Sequence, residues 1–245
     1  MGITADVTEP ARIRPHDVGS ALAPATLGVT VAMALIVVVG SLTFADGRLA
    51  LLLGYLCVWV PLLGSLVVAG GRPEAGFWLG FLRLSVRPID LIWGLGVGLV
   101  ARTAASLIEI WGYGSIGSAG VRLGETVYDG WWLFGALLAP VLLAPLVEEV
   151  FFRGLVLRAV HDQAAAHGAK WAAAPVAVGV SGLTFALMHL MALDLGSTAT
   201  VAVVAGSTLI FGLAAAWLSL ATGRIGGAII AHVTFNALVI VPTLF

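Results

Sequence analysis

Long stretches without a single charged residue constrain this chain more than any other feature. They cover residues 18–45, 49–71, 130–147, 171–193, 195–223 and 225–245. A helix needs about 20 apolar residues to cross roughly 30 Å of hydrocarbon, and only the stretch 130–147 is slightly short of that. The whole chain is 10% charged, whereas soluble domains carry about 25% charged residues. We therefore predict an all-α membrane protein with the lipid bilayer as its solvent and partner.

A seventh candidate span covers residues 91–110, where Arg102 interrupts the apolar run and Glu109 lies at its end. Snorkelling or packing is the simplest interpretation of Arg102. The sequence thus predicts a polytopic bundle of about seven transmembrane helices behind a polar tail, residues 1–20. A net charge of −1 and a single cysteine, Cys57, argue against nucleic-acid binding, a disulfide framework and a thiolate metal site.

The positions of the basic residues predict the orientation in the membrane, because short cytoplasmic loops accumulate Arg and Lys. Nine of the twelve lie in the tail and in the second, fourth and sixth connections: Arg12, Arg14, Arg72, Arg83, Arg87, Arg153, Arg158, Lys170 and Arg224. We therefore expect a multi-pass protein with a cytoplasmic N-terminus. The short loops and the Ala/Gly-rich composition favour a bacterial plasma membrane.

Two connections have distinctive sequences. Residues 74–88 place apolar side chains and arginines on different faces, which predicts a helix lying at the cytoplasmic interface. Residues 112–130 are rich in glycine, which is typical of a flexible external loop. Trp131 and Trp132 then mark the point where the next span enters the membrane.

Ionisable side chains within hydrocarbon indicate a functional site, and the first such group is Glu148-Glu149-Val150-Phe151-Phe152-Arg153. Glu149 and Arg153 are four residues apart and can pair on one helix face, whereas Glu148 points about 100° away. Glu148 is therefore the candidate general base. An ordinary charge cluster at a helix end also explains this group.

Two further groups lie in later spans. Phe185 and His189 share a helix face, so that the ring can pack beneath the imidazole and set its direction. His232 and Asn236 have the same spacing and present two hydrogen-bond donors, which could stabilise an oxyanion. Taken singly, each group is also explained by packing or by polar contacts between helices.

The three groups occur in the order Glu-Glu-x-x-x-Arg, Phe-x-x-x-His and His-x-x-x-Asn on three different spans. In this combination the chain resembles the CPBP family of intramembrane proteases, also called the ABI family or type II CAAX prenyl endopeptidases. The resemblance runs from about Trp131 to Leu238. It divides the chain into the tail, generic transmembrane helices over 21–130 and a catalytic transmembrane core over 131–245.

The resemblance implies an endopeptidase that cuts peptide bonds near the cytoplasmic membrane face, acting on a peptide or protein substrate of the kind that can be lipid-modified. In such an enzyme Glu148 and His189 activate a water molecule, and His232 and Asn236 stabilise the oxyanion. Glu149, Arg153 and Phe185 support the site.

The family is often labelled a metalloprotease, and the candidate ligands for zinc are Glu148, Glu149, His189 and His232. We expect no required metal, because the zincin signature His-Glu-x-x-His is absent. Zinc remains the alternative at this point.

The depth of these residues raises a conflict. At 1.5 Å per residue, Glu148 lies roughly 15 Å from Arg158, and His232 lies roughly 12 Å from Arg224. Measured in the same way from the cytoplasmic side, His189 lies roughly 28 Å from Lys170. It would therefore lie too deep in the membrane to meet Glu148 and His232. We therefore expect the fifth span to start at 175–180, with residues 161–174 in or above the interface.

Two other functions are alternatives to the protease. Gly179-Val180-Ser181-Gly182 matches the Gly-x-Ser-Gly of rhomboid serine proteases, but the setting of His232 does not match theirs. A non-catalytic transporter, scaffold or bacteriocin-immunity protein would use the polar groups for packing or as a pathway.

Overall fold

The computed structural model describes residues 15–70, 80–116, 129–168, 170–193 and 197–244. These ranges are mainly helical and contain no strand, which confirms the all-α prediction. The helices are α1 (Pro15–Gly40), α2 (Gly47–Gly70), α3 (Ile89–Tyr113), α4 (Gly130–Ala166), α5 (Lys170–Met191), α6 (Thr198–Thr222) and α7 (Gly226–Ile240), and α7 continues into a 3₁₀ turn. Arg12 and Arg14, most of the predicted 112–130 loop and part of the 74–88 connector lie outside the described residues.

The helices have the lengths that a membrane protein requires. Six of them, α1 to α6, are long and apolar enough to cross a membrane. The predicted span 225–245 is a 15-residue apolar helix, α7, followed by the turn Val241–Leu244. The polytopic helical bundle is thus confirmed, with a seventh helix that is shorter than the apolar stretch suggested.

Small residues bring α3 and α7 into close contact. A Cβ atom added at Gly94 or Gly98 of α3 would lie 2.7 Å from a backbone oxygen of α7, that of Gly227 or Ala231. Helix pairs in membranes use small residues for this kind of approach. This contact fixes α7, which carries His232, against the rest of the bundle.

Helix α4 is 37 residues long and contains two stretches of π-helix, Leu133–Leu143 and Val150–Val156. Pro140 lies within the first stretch, and Pro145 follows it in the short α-helical segment that carries both glutamates. Turns of π-helix inside longer helices often occur at functional sites.

The predicted interfacial helix at 74–88 is wrong over its described part. After a π turn at Gly80 and Phe81 the backbone is non-helical as far as Arg87, and Arg83 has a positive φ of 55°. Leu82 is fully buried, and the carbonyl of Arg83 accepts a hydrogen bond from the backbone N–H of Ile225. Phe81 and Leu82 therefore anchor this segment to the bundle, while Arg83 and residues 85–88 remain exposed.

The same end of the bundle carries several arginines. Arg158 donates to the carbonyl of Ser219 at the end of α6, and Arg224 in the α6–α7 turn pairs with Asp90 at the start of α3 at 2.5 Å. Arg153 and Arg158 were both assigned to the fourth connection, and this is wrong, because both lie inside α4. Arg153 is fully buried and therefore gives no information on membrane orientation.

Candidate active site

Two adjacent glutamates lie between the π-helical stretches of α4. Glu149 is fully buried and Glu148 is 7% exposed. Burying a carboxylate is costly unless it is paired and hydrogen-bonded, so the partners of each glutamate define the site.

Glu149 makes the ion pair that the helical spacing predicts. Its Oε1 lies 2.9 Å from Nη1 of Arg153. Arg153 also donates from Nη2 to the carbonyl of Gly212 on α6. Its guanidinium lies over the ring of Phe185, 4.6 Å from the ring centroid. Arg153 thus ties α4 to α5 and α6 at the level of the glutamates.

His232 of α7 is oriented by Glu149. Its Nδ1 lies 2.8 Å from Oε1 of Glu149, and its ring packs on Phe211 with centroids 4.6 Å apart. An Nδ1–H that donates to the carboxylate fixes the direction of the ring. Nε2 then faces Glu148, at 3.9 Å from its Oε2.

His189 of α5 is oriented in the same way by a backbone group. Its Nδ1 lies 2.9 Å from the carbonyl oxygen of Phe185, to which a protonated Nδ1 donates. The ring packs on that of Phe185 with centroids 4.4 Å apart, which confirms the predicted contact. Nε2 lies 3.9 Å from Oε2 of Glu148.

Oε2 of Glu148 is therefore faced by two imidazole nitrogens from two other helices. It is buried and has no hydrogen-bond partner among the described residues. Polar atoms 3.9 Å apart are too distant for a direct hydrogen bond, and such a separation suits bridging by a water molecule. The arrangement can hold one small polar reactant between a carboxylate and two imidazoles.

Asn236 has a different partner from His232, although the two lie one turn apart on α7. Its Nδ2 donates to the carbonyl of Pro140 at 2.8 Å. In a π turn this carbonyl would accept from the N–H of residue 145, but Pro145 has none. Asn236 therefore provides a donor for the Pro140 carbonyl, which Pro145 leaves without one. The second hydrogen of the Asn236 amide remains available.

The depth conflict is resolved by the length of the α4–α5 hairpin. Glu148 lies roughly 27 Å from Ala166 and His189 roughly 28 Å from Lys170, so the two residues lie level across the hairpin. Helix α5 begins at Lys170. Helix α4 continues well past Arg158, and α5 returns over the same distance. Where the membrane-spanning part of α5 starts stays a prediction.

Ser181 does not have the environment of a catalytic serine. It is fully buried, and its hydroxyl donates to the carbonyl of Phe152 in the π-helical part of α4 at 3.0 Å. This contact assigns Ser181 to the packing of α5 on α4.

Residues 130–238 match a family model, described as type II CAAX prenyl endopeptidase Rce1-like. This segment is therefore similar to that family. It covers under half of the chain and includes every predicted site residue, which confirms the resemblance seen in the motifs. At the level of the family, the match supports a membrane-embedded peptide hydrolase. Comparison with curated proteins and with solved structures finds no match.

Glu148, His189 and His232 are side chains of the types that bind zinc. In the described part of the chain, no three His, Cys, Asp or Glu side chains are grouped closely enough to be recognised as a metal site. Oε1 of Glu149, a candidate ligand, is already engaged by His232 and Arg153. Catalysis without a metal stays a prediction that metal analysis must test.

Three structural features in and around the site were not predicted from the sequence. Asp90 and Arg224 are 134 positions apart, and no sequence pattern links them. Arg102 pairs with Glu109, seven residues along α3, at 2.5 Å inside the bundle. Tyr55 of the supposedly generic α2 lines a cavity that reaches Glu148. The available sequence signal was the spacing of Tyr55 and Trp59, which lie four residues apart in an otherwise mostly aliphatic span.

Proposed function

We propose that this chain is an intramembrane endopeptidase in which Glu148 activates a water molecule for attack on a peptide carbonyl. The observation that carries the proposal is the position of Oε2 of Glu148, 3.9 Å from Nε2 of both His189 and His232. A water molecule held there can give a proton to the carboxylate while its oxygen stays directed by the imidazoles. The Rce1-like match supports the same reaction class.

The proposed reaction proceeds in two steps. Glu148 takes a proton from the water, whose oxygen bonds to the carbonyl carbon and places the negative charge on the carbonyl oxygen. The protonated Glu148 then gives this proton to the peptide nitrogen, the C–N bond breaks, and a carboxylic acid and an amine leave.

The tetrahedral intermediate requires donors for its oxyanion. We assign this role to His232 and to the second amide hydrogen of Asn236. When His232 carries both ring protons, Nδ1–H bonds to Glu149 and Nε2–H is directed toward the reacting atoms. Glu149, Arg153 and Phe185 are then positioning residues that hold the two imidazoles.

The proposal includes the predicted surroundings of the protein. We place it in a bacterial plasma membrane with a cytoplasmic N-terminus, and its partners are the bilayer and a peptide or protein substrate. The backbone contact of Arg83 with the α6–α7 turn and the contact of Arg158 with Ser219 place both arginines at one end of the bundle, which supports the predicted orientation. The cleavage products, once identified, will show whether the substrates carry a lipid.

New peptide termini in membranes of cells that express wild type or Glu148→Gln at matched levels test this function. Glu109→Gln makes the same chemical change at a buried carboxylate of α3, outside the site, and serves as the control. We expect the same new termini with wild type and the control, and none with Glu148→Gln. Identical termini in all three strains would instead support the non-catalytic alternative.

Metal content is measured on the same purified proteins. We expect cleavage without stoichiometric zinc and without loss on chelation. Stoichiometric zinc that leaves together with activity would assign the reaction to a metalloprotease.

A further inference from the structure

Helices α1 and α2, which the family match does not include, form one wall of a cavity that reaches Glu148. This inner cavity has a volume of about 300 Å³, at the lower end of the range for ligand pockets. Tyr55 and Trp59 line it from α2, and Glu148 and His189 line it from the opposite side. The rings of Tyr55 and Trp59 stack with centroids 4.9 Å apart.

A second cavity continues outward from the first. Its volume is about 780 Å³, and it shares Ile36, Gly54, Val58 and Ala192 with the inner one. It extends to the α1–α2 connection, residues 41–44, and to the end of α5. The two cavities are therefore adjacent, and together they are called the passage here. Its outer part lies at the end of the bundle away from Arg158 and Arg224.

The chemistry of the passage changes along its length. The inner end holds the carboxylate of Glu148 and the imidazole of His189, whereas apolar side chains dominate the remaining wall. A ligand that fits both parts has a reactive polar group at one end of an apolar segment. An extended peptide with apolar side chains beside the bond to be cut has this property.

On the basis of the proposed function, we infer that the substrate is an apolar peptide segment that reaches Glu148 through this passage, and that Gly54, Tyr55 and Trp59 select its side chains. The outer part of the passage lies at the end that the arginine distribution assigns to the side opposite the cytoplasm. A substrate on this route reaches Glu148 from that end of the bundle, a position that differs from the cytoplasmic one expected from the family.

Gly54 offers a direct way to close the passage. A Cβ atom added at Gly54 meets no atom within 4 Å, and the same is true of Gly64 on the same helix. Gly64 lines a separate groove between α1 and α2, away from Glu148. Gly54→Leu therefore adds a side chain to the passage, and Gly64→Leu makes the identical change elsewhere.

The experiment compares new peptide termini for wild type, Gly54→Leu, Gly64→Leu and Glu148→Gln at matched membrane levels. Since one methylene group in an apolar pocket changes rates by roughly 10–200-fold, we expect Gly54→Leu to reduce the wild-type termini about tenfold or more. Gly64→Leu should leave them unchanged. Cleavage by Gly54→Leu at the wild-type level overturns the passage but leaves the proposed function intact, whereas cleavage by Glu148→Gln overturns the function itself.

Two further variants separate a blocked passage from a misfolded protein. Val58→Phe narrows the same passage and should reproduce the loss if Gly54→Leu is unstable. Trp59→Ala enlarges it and should shift the residues beside the cut toward larger apolar side chains. If lipid alone occupies the passage, Trp59→Ala leaves the cleavage pattern unchanged, and this result also overturns the inference.

Discussion

The buried ion pair of Arg153 and Glu149 gives a quantitative prediction about stability. In Arg153→Met the guanidinium is lost, while an unbranched side chain still fills the space among the aromatic rings. Glu149 then keeps only His232 as a partner, at 2.8 Å. Removing one partner of a buried pair costs about 3–5 kcal/mol, and the remaining imidazole places the expected loss near the lower end, about 3 kcal/mol.

The chain contains a matched control for this change. Arg48 pairs with Asp129 at 2.6 Å, but their side chains are 56% and 32% exposed. Pairs exposed in this way contribute about 0–1 kcal/mol, so Arg48→Met should change stability by no more than that. Both variants remove an arginine from a carboxylate, and only burial distinguishes them.

Reversible unfolding in detergent measures the two losses, and a double-mutant cycle tests their cause. Glu149→Gln in the Arg153→Met background removes the unpaired charge and should recover part of the lost stability, with a coupling of about 0.5–3 kcal/mol. Equal losses for Arg153→Met and Arg48→Met, or strictly additive effects in the cycle, would refute the reasoning.

Three further predictions concern the helices around the site. Ser181→Ala should leave cleavage intact and lower the free energy of unfolding by about 1 kcal/mol, because the Ser181 hydroxyl bonds to the Phe152 carbonyl. Loss of cleavage in a folded variant would restore the serine-protease alternative. Asp90→Asn should lower the thermal midpoint, since Arg224 keeps its charge but loses its buried partner; an unchanged midpoint in a thermal scan would contradict this. Gly98→Ala should lower the free energy of unfolding by about 1–3 kcal/mol, because the added Cβ would lie 2.7 Å from a backbone oxygen of α7. Wild-type stability of this variant in chemical unfolding would disprove the close packing of α3 on α7.

Contacts within one helix could be predicted from the sequence, because helical spacing determines them. The pair of Glu149 and Arg153 and the packing of Phe185 on His189 are both four residues apart, and both are found. The long uncharged stretches likewise predicted six of the helices, since the thickness of the bilayer sets a minimum span.

Contacts between helices could not be predicted in this way. The bond of His232 to Glu149 joins residues 83 positions apart, and it depends on how α7 packs against α4. The bond of Asn236 to Pro140 follows from the π turn before Pro145, which no hydrophobic pattern reveals. The depth of His189 relative to Glu148 could not be predicted for a related reason, because charge positions do not show how far α4 continues past Arg158.

The central claim is that Glu148 is the general base of a peptide hydrolase, and it is tested most directly on purified protein in lipid vesicles. A peptide that spans a mapped cleavage site is given to wild type and to Glu148→Gln, with equal thermal midpoints as proof of folding. Because a positioned general base contributes roughly 10²–10⁴-fold, the account predicts a loss of cleavage rate of at least that order. Cleavage by Glu148→Gln within a few fold of wild type would contradict it.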